Sequence, residues 1–102
     1  MSILELANDL IQGDRGESYG HPLDDFARTA RRWEAILRVQ ITPEQVALCM
    51  VCVKISRECN KHQLDNLSDG AGYFGTIEMI KDEREKRIKA NVPENRPASE
   101  QA

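Results

Sequence analysis

The chain reads as an all-α protein, a four-helix antiparallel bundle over residues 1–90 followed by a disordered tail over 91–102. Three observations predict this. Apolar residues recur at helical spacing, as in Phe26, Ala30, Trp33 and Leu37. Helix-start signals stand where segments begin, at Ser2 to Glu5 and at Thr42-Pro43-Glu44-Gln45. No stretch alternates with the period of two that a half-buried strand needs.

The elements follow in order. Ser2-Ile3-Leu4-Glu5 opens a first helix as a capping box, with Leu6, Leu10 and Ile11 on its buried side and Gly13 at its end. Asp14 to Pro22 carries two glycines and a closing proline and is expected to be a loop. A second helix starts at Pro22 and carries the Phe26 stripe, with Arg28, Arg31, Arg32 and Arg38 mostly off it. Thr42 caps a third helix that runs to Glu58 or Lys61. It begins with the apolar run Val46 to Val53, which predicts the central position in the bundle. A fourth helix starts at Leu64 or Asp65 and reaches Ala90, with Leu67, Ala71, Phe74 and Ile77 or Glu78 on its inner face. Asn91 to Ala102, with Pro93 and Pro97, is read as the tail.

Composition sets further bounds. The 102 residues are 40% hydrophobic and 30% charged, which suits one modest soluble domain. No apolar run approaches a membrane span, and Met1 to Glu5 lacks the character of a signal peptide, so a cytoplasmic protein is expected. The net charge of -3 argues against general nucleic-acid binding. Cys49 and Cys52 form a CxxC inside the apolar run, and Cys59 follows; they are expected to be buried thiols without metal. A bundle this short gains stability by association, so a homo-oligomer is expected.

Three polar groups stand out. The loop around Arg15, Tyr19 and His21 offers a phosphate fork, a ring for stacking and a polar edge, or it is a plain helix connection. Lys54, Arg57 and Lys61 share one side of the third helix. Lys54 starts near the core and needs a partner, either a carboxylate of the chain or a ligand phosphate. Asp65, Asn66, Asp69 and Tyr73 form a polar stripe early on the fourth helix, beside Gly70, Gly72 and Gly75. Three glycines so close imply close helix packing or a ligand pressed on the helix. Should the last two helices pair as a hairpin, a network of Lys54 or Arg57 with Asp69 is the structural alternative to a binding site.

The pattern Arg15-Gly16-x-x-Tyr19-Gly20-x-Pro22, then Phe26, Trp33, Ile41-Thr42-Pro43, Lys54-x-x-Arg57 and Asp65-Asn66-x-x-Asp69-x-Ala71-Gly72-Tyr73 resembles a family of small phage and prophage proteins of uncharacterised function. More distantly, the last two helices resemble the all-α NTP pyrophosphatases of the MazG type. Those enzymes hold Mg2+ against nucleotide phosphates with ExxE on one helix and ExxD on the next. Lys54-x-x-Arg57 stands at the first pair and Asn66-x-x-Asp69 at the second, so three of the four carboxylates are absent. A lysine–arginine pair repels a metal and can bind phosphate directly.

These resemblances imply a non-catalytic phage protein that binds a phosphorylated or cyclic nucleotide, as an anti-defence sponge for a host immune signal. The ligand-binding residues would be Arg15, Tyr19, His21, Lys54, Arg57, Asn66, Asp69 and Tyr73, with no cofactor. The alternatives are a divergent MazG-like pyrophosphatase, with Mg2+ on Asp65 and Asp69, and a helical oligomer that binds another protein.

Overall fold

The computed structural model describes residues 1–13 and 15–91. They form an all-α bundle: α1 (Ile3–Gln12), α2 (Arg15–Tyr19), α3 (Pro22–Leu37), α4 (Pro43–Asn60) and α5 (Leu64–Ala90). The four long helices start and stop where the sequence signals stand. Ser2 and Glu5 close a capping box on α1, and Thr42 and Gln45 close another on α4. The stretch read as a loop instead holds the five-residue helix α2. Gly20 follows it with φ of 80°, a left-handed conformation that suits glycine. The expected tail lies outside the described residues except for Asn91, which caps α5.

The spine is the antiparallel hairpin of α4 and α5. Lys54 Nζ lies 2.9 Å from Asp69 Oδ2, and farther along Arg84 donates two hydrogen bonds to Glu44 at 2.7 and 2.8 Å. The Arg84 guanidinium holds the Glu44 carboxyl below its ordinary pKa. At the end remote from the hairpin tip, Arg87 of α5 donates to both Asp24 oxygens at 2.7 and 2.8 Å, tying the start of α3 to the spine. The core is Phe26 and Ala30 of α3, Val46 and Ala47 of α4 and Ile80 of α5, with Trp33, Ile41, Tyr73 and Ile77 around it.

Two expectations are corrected here. The central helix is α5, which touches α1, α3 and α4; α4 touches only α3 and α5. Its apolar run therefore covers more of the helix than the bundle buries. Leu48 and Ile55 are exposed, and Cys49, Cys52 and Cys59 are exposed thiols rather than buried ones.

The inner face of α5 is also rotated from the expected one. Leu67 and Phe74 are exposed, while Ser68, Gly72, Thr76 and Ile80 face inward. The reason is α1. A Cβ on Gly72 would meet Ile11 Cγ2 at 3.4 Å, and one on Gly75 would meet Ile11 Cδ1 at 2.9 Å. Small residues let α1 lie directly on α5, so these two glycines serve close helix packing. The inward hydroxyls are satisfied locally: Thr76 donates to the Tyr73 carbonyl at 2.6 Å and Ser68 to the Leu64 carbonyl at 3.3 Å.

Candidate functional site

Between α1, α2 and α5 lies a hollow of about 570 Å³. Its walls are Leu6, Asp9, Leu10, Ile11 and Gly13 from α1 and its end, Arg15, Ser18 and Tyr19 from α2, and Asp69, Gly72 and Tyr73 from α5. The helical turn of α2 brings Arg15 and Tyr19 onto one side, four residues apart. The Arg15 guanidinium carbon sits 5.3 Å from the Tyr73 ring centre, 5.6 Å from that of Phe26 and 5.8 Å from that of Tyr19. Three ring faces at this range hold a cation by their quadrupoles. Asp25 lies 4.0 Å from the same guanidinium. Arg15 thus straps α2 to the bundle while remaining partly open at the hollow's edge.

Asp69 reaches the hollow from α5 and is paired with Lys54. Lys54 is well covered; its Cβ lies 3.8 Å from the Cβ position of Gly70. The carboxylate partner expected as one alternative for Lys54 is therefore Asp69. A Cβ at Gly70 would meet the lysine stem only at ordinary van der Waals distance, so the stem does not require a glycine there.

The other expected site residues lie elsewhere. His21 is the N-cap of α3: the Leu23 amide donates to its Nδ1 at 3.0 Å. Arg57 lines a separate hollow of about 330 Å³ with Ser56, Asn60, Lys61, Gln63 and Asn66. Asn66 is buried there and donates to Glu58 Oε1 at 3.1 Å. Glu58 also accepts from the Gln63 amide at 3.0 Å and is bonded to His62. These bonds, His62's first, pull the Glu58 carboxyl down to about 2. The cluster locks the turn between α4 and α5. Asp65 is exposed on the first turn of α5.

Of the eight expected ligand residues, the fold therefore gathers Arg15, Tyr19, Asp69 and Tyr73, with Lys54 behind Asp69. It sets His21, Arg57 and Asn66 apart. Asp9, Leu10 and Ser18 were missed. Asp9 sits beside the apolar stripe of α1, and its only signal was a carboxylate next to a face assigned to the core. A wider depression of about 710 Å³, walled by Arg31, Glu34 and Arg38 to Pro43, contains no aromatic side chain.

Of the two carboxylates expected for Mg2+ in the enzyme alternative, Asp65 is exposed at the start of α5 and Asp69 is paired with Lys54. No group of three or more His, Cys, Asp or Glu side chains is placed to hold a metal ion among the described residues. None of the described helices is long and apolar enough to cross a membrane.

Fold and hollow define an all-α bundle protein with a cavity of ligand size walled by aromatic, acidic and basic side chains. The chain belongs to the family described as "Domain of unknown function (DUF6378)", whose model matches residues 2–81. It is 42% identical over 83 residues to the Gene 55 protein of Mycobacterium phage L5, covering 78% of this chain and 53% of that protein. It is 39% identical over 83 residues to the Gene 55 protein of Mycobacterium phage D29, covering 80% of this chain and 55% of that protein. The chain thus spans about half the length of these curated relatives. It is a helical protein of a phage-protein family. No solved structure matches it.

Proposed function

We propose that this protein binds a phosphorylated nucleotide in the hollow between α1, α2 and α5 and holds it without turnover. The observation that carries this reading is the Arg15 guanidinium, held by three aromatic rings at the edge of a cavity of about 570 Å³. Ligand cavities typically measure ~300–1,000 Å³. Arg15 is the cation for phosphate. Tyr19 and Tyr73 offer rings to a base. Asp9 and Asp69 offer acceptors to ribose hydroxyls or a base amino group. Lys54 orients Asp69 and acts on the ligand only through it. Sequestration of a cyclic nucleotide or ADP-ribose derivative used in host immunity fits the phage relatives and a site built for fit.

The test is titration calorimetry of the purified chain with a nucleoside triphosphate, a cyclic mononucleotide, a cyclic dinucleotide and ADP-ribose. One of them should bind in a one-to-one ratio. Arg15→Ala should weaken that binding by about ten- to a hundredfold, since a charge-assisted hydrogen bond is typically worth ~1.5–3 kcal/mol. Binding of none, or binding unchanged in Arg15→Ala and Tyr19→Ala, defeats the proposal. Magnesium-dependent release of phosphate or pyrophosphate would replace it with the pyrophosphatase reading.

A further inference from the structure

The wall of the hollow between α1, α2 and α5 carries Arg15, Asp9 and Asp69 as its charged side chains. Their charges are not equally free. Asp69 is met by the Lys54 ammonium at 2.9 Å. Asp9 is exposed and has no ion-pair partner among the described residues. Arg15 is the only cation on this wall among the described residues. Its side chain is 29% exposed, with Asp25 at 4.0 Å and the rings of Tyr19, Phe26 and Tyr73 around it. Arg28, on α3, is engaged elsewhere: it donates to the Tyr19 carbonyl at 2.8 Å and lies 4.0 Å from Asp25.

We infer that this hollow selects a nucleotide with a single negative charge and an amino-bearing base: a cyclic mononucleotide of adenine, guanine or cytosine. The inference rests on the nucleotide reading above and narrows it.

The charges of the wall decide the phosphate. The exposed part of the Arg15 fork can take one phosphate group through paired hydrogen bonds. A cyclic phosphodiester brings a single charge to it. A terminal monoester phosphate brings about −1.5 to −2 at pH 7, and a polyphosphate chain brings more. Cyclic dinucleotides and ADP-ribose bring two phosphate charges. Every charge beyond the first finds no second cation on the wall and meets the unpaired Asp9 carboxylate instead. Two like unit charges at contact distance in water weaken binding by about fivefold, and by more where water is excluded.

The acceptors decide the base. Carboxylates accept hydrogen bonds and donate none. Asp9 and Asp69 therefore call for donors on the ligand. Adenine, guanine and cytosine each carry an exocyclic amino group, whereas uracil sets a carbonyl oxygen where cytosine has its amino group. That oxygen would face the carboxylates acceptor to acceptor.

Titration calorimetry with matched ligands tests both halves. Cyclic AMP against AMP and ATP varies the charge; cyclic CMP against cyclic UMP varies one exocyclic group. Each set is run in EDTA and again in Mg2+. In both buffers cyclic AMP should bind at least about tenfold tighter than AMP and ATP. Cyclic CMP should bind at least about tenfold tighter than cyclic UMP. Asp9→Asn should shrink the advantage of cyclic AMP over ATP by about fivefold or more. AMP, ATP, a cyclic dinucleotide or ADP-ribose binding as tightly as cyclic AMP overturns the inference and leaves the nucleotide reading standing. So does equal binding of cyclic CMP and cyclic UMP, or an advantage over ATP that Asp9→Asn leaves unmoved. Binding of no nucleotide at all defeats the nucleotide reading and this inference with it.

Discussion

Lys54→Met removes an ammonium and keeps the stem that passes Gly70. The Lys54–Asp69 contact is 2.9 Å, and the two side chains are 15% and 32% exposed. Exposed pairs contribute ~0.2–1 kcal/mol, and stranding one member of a buried pair costs ~3–5 kcal/mol. A half-covered pair lies between, so the loss should be about 2 kcal/mol. At ~4–8 °C per kcal/mol for a domain of this size, Tm should fall by about 8–16 °C. Asp69→Asn should cost a similar amount. The double variant should recover at least half of the summed loss, because neither charge is then stranded. Scanning calorimetry of the four proteins closes the cycle. A Lys54→Met protein that melts within about 2 °C of wild type, well under the ~4–8 °C expected per kcal/mol, refutes the structural role and returns Lys54 to the ligand-binding candidates.

Other consequences follow from single positions. Gly20→Ala forces a side chain into φ of 80° and should lower stability by ~1–2 kcal/mol, read from urea midpoints. Arg38 ends α3 at φ of 58°, so Arg38→Gly should raise stability by up to ~1 kcal/mol in the same assay. Glu58 titrates in the folded state near 2, below its ordinary 4.5. Its contribution is thus present above pH 4.5 and lost as pH falls toward 2, and Glu58→Gln should flatten the stability profile across that window.

Helix boundaries were legible in the sequence because caps are local. Ser2 with Glu5, Thr42 with Pro43 and Gln45, and Pro22 each act within one turn. Which face of a helix points inward was less legible. Helix α5 has an apolar stripe, Leu67–Ala71–Phe74, and a small-residue stripe, Ser68–Gly72–Thr76. Only the approach of α1 selects the second. The same ambiguity misplaced the cysteines: the run Val46 to Val53 has more apolar sides than its neighbours cover. Among the candidate residues, Asp69 and Tyr73 were legible as a pair four apart on one helix. Arg15 and Tyr19 stood out by their chemistry in a stretch expected to be a loop, and the turn of α2 that aligns them was not legible. His21 caps α3 through its Nδ1, a role that sequence does not distinguish from a contact to a ligand. Asp9 was invisible because its meaning depends on α1 lying beside α2 and α5.

The central claim is that the hollow between α1, α2 and α5 holds the nucleotide. Amide chemical-shift mapping of the labelled protein, titrated with whichever nucleotide of the panel binds, tests it most directly. Perturbations should cluster at Asp9, Arg15, Ser18, Tyr19, Asp69 and Tyr73. Perturbations centred on Arg57, Asn60 and Asn66, or none at saturating nucleotide, would contradict it.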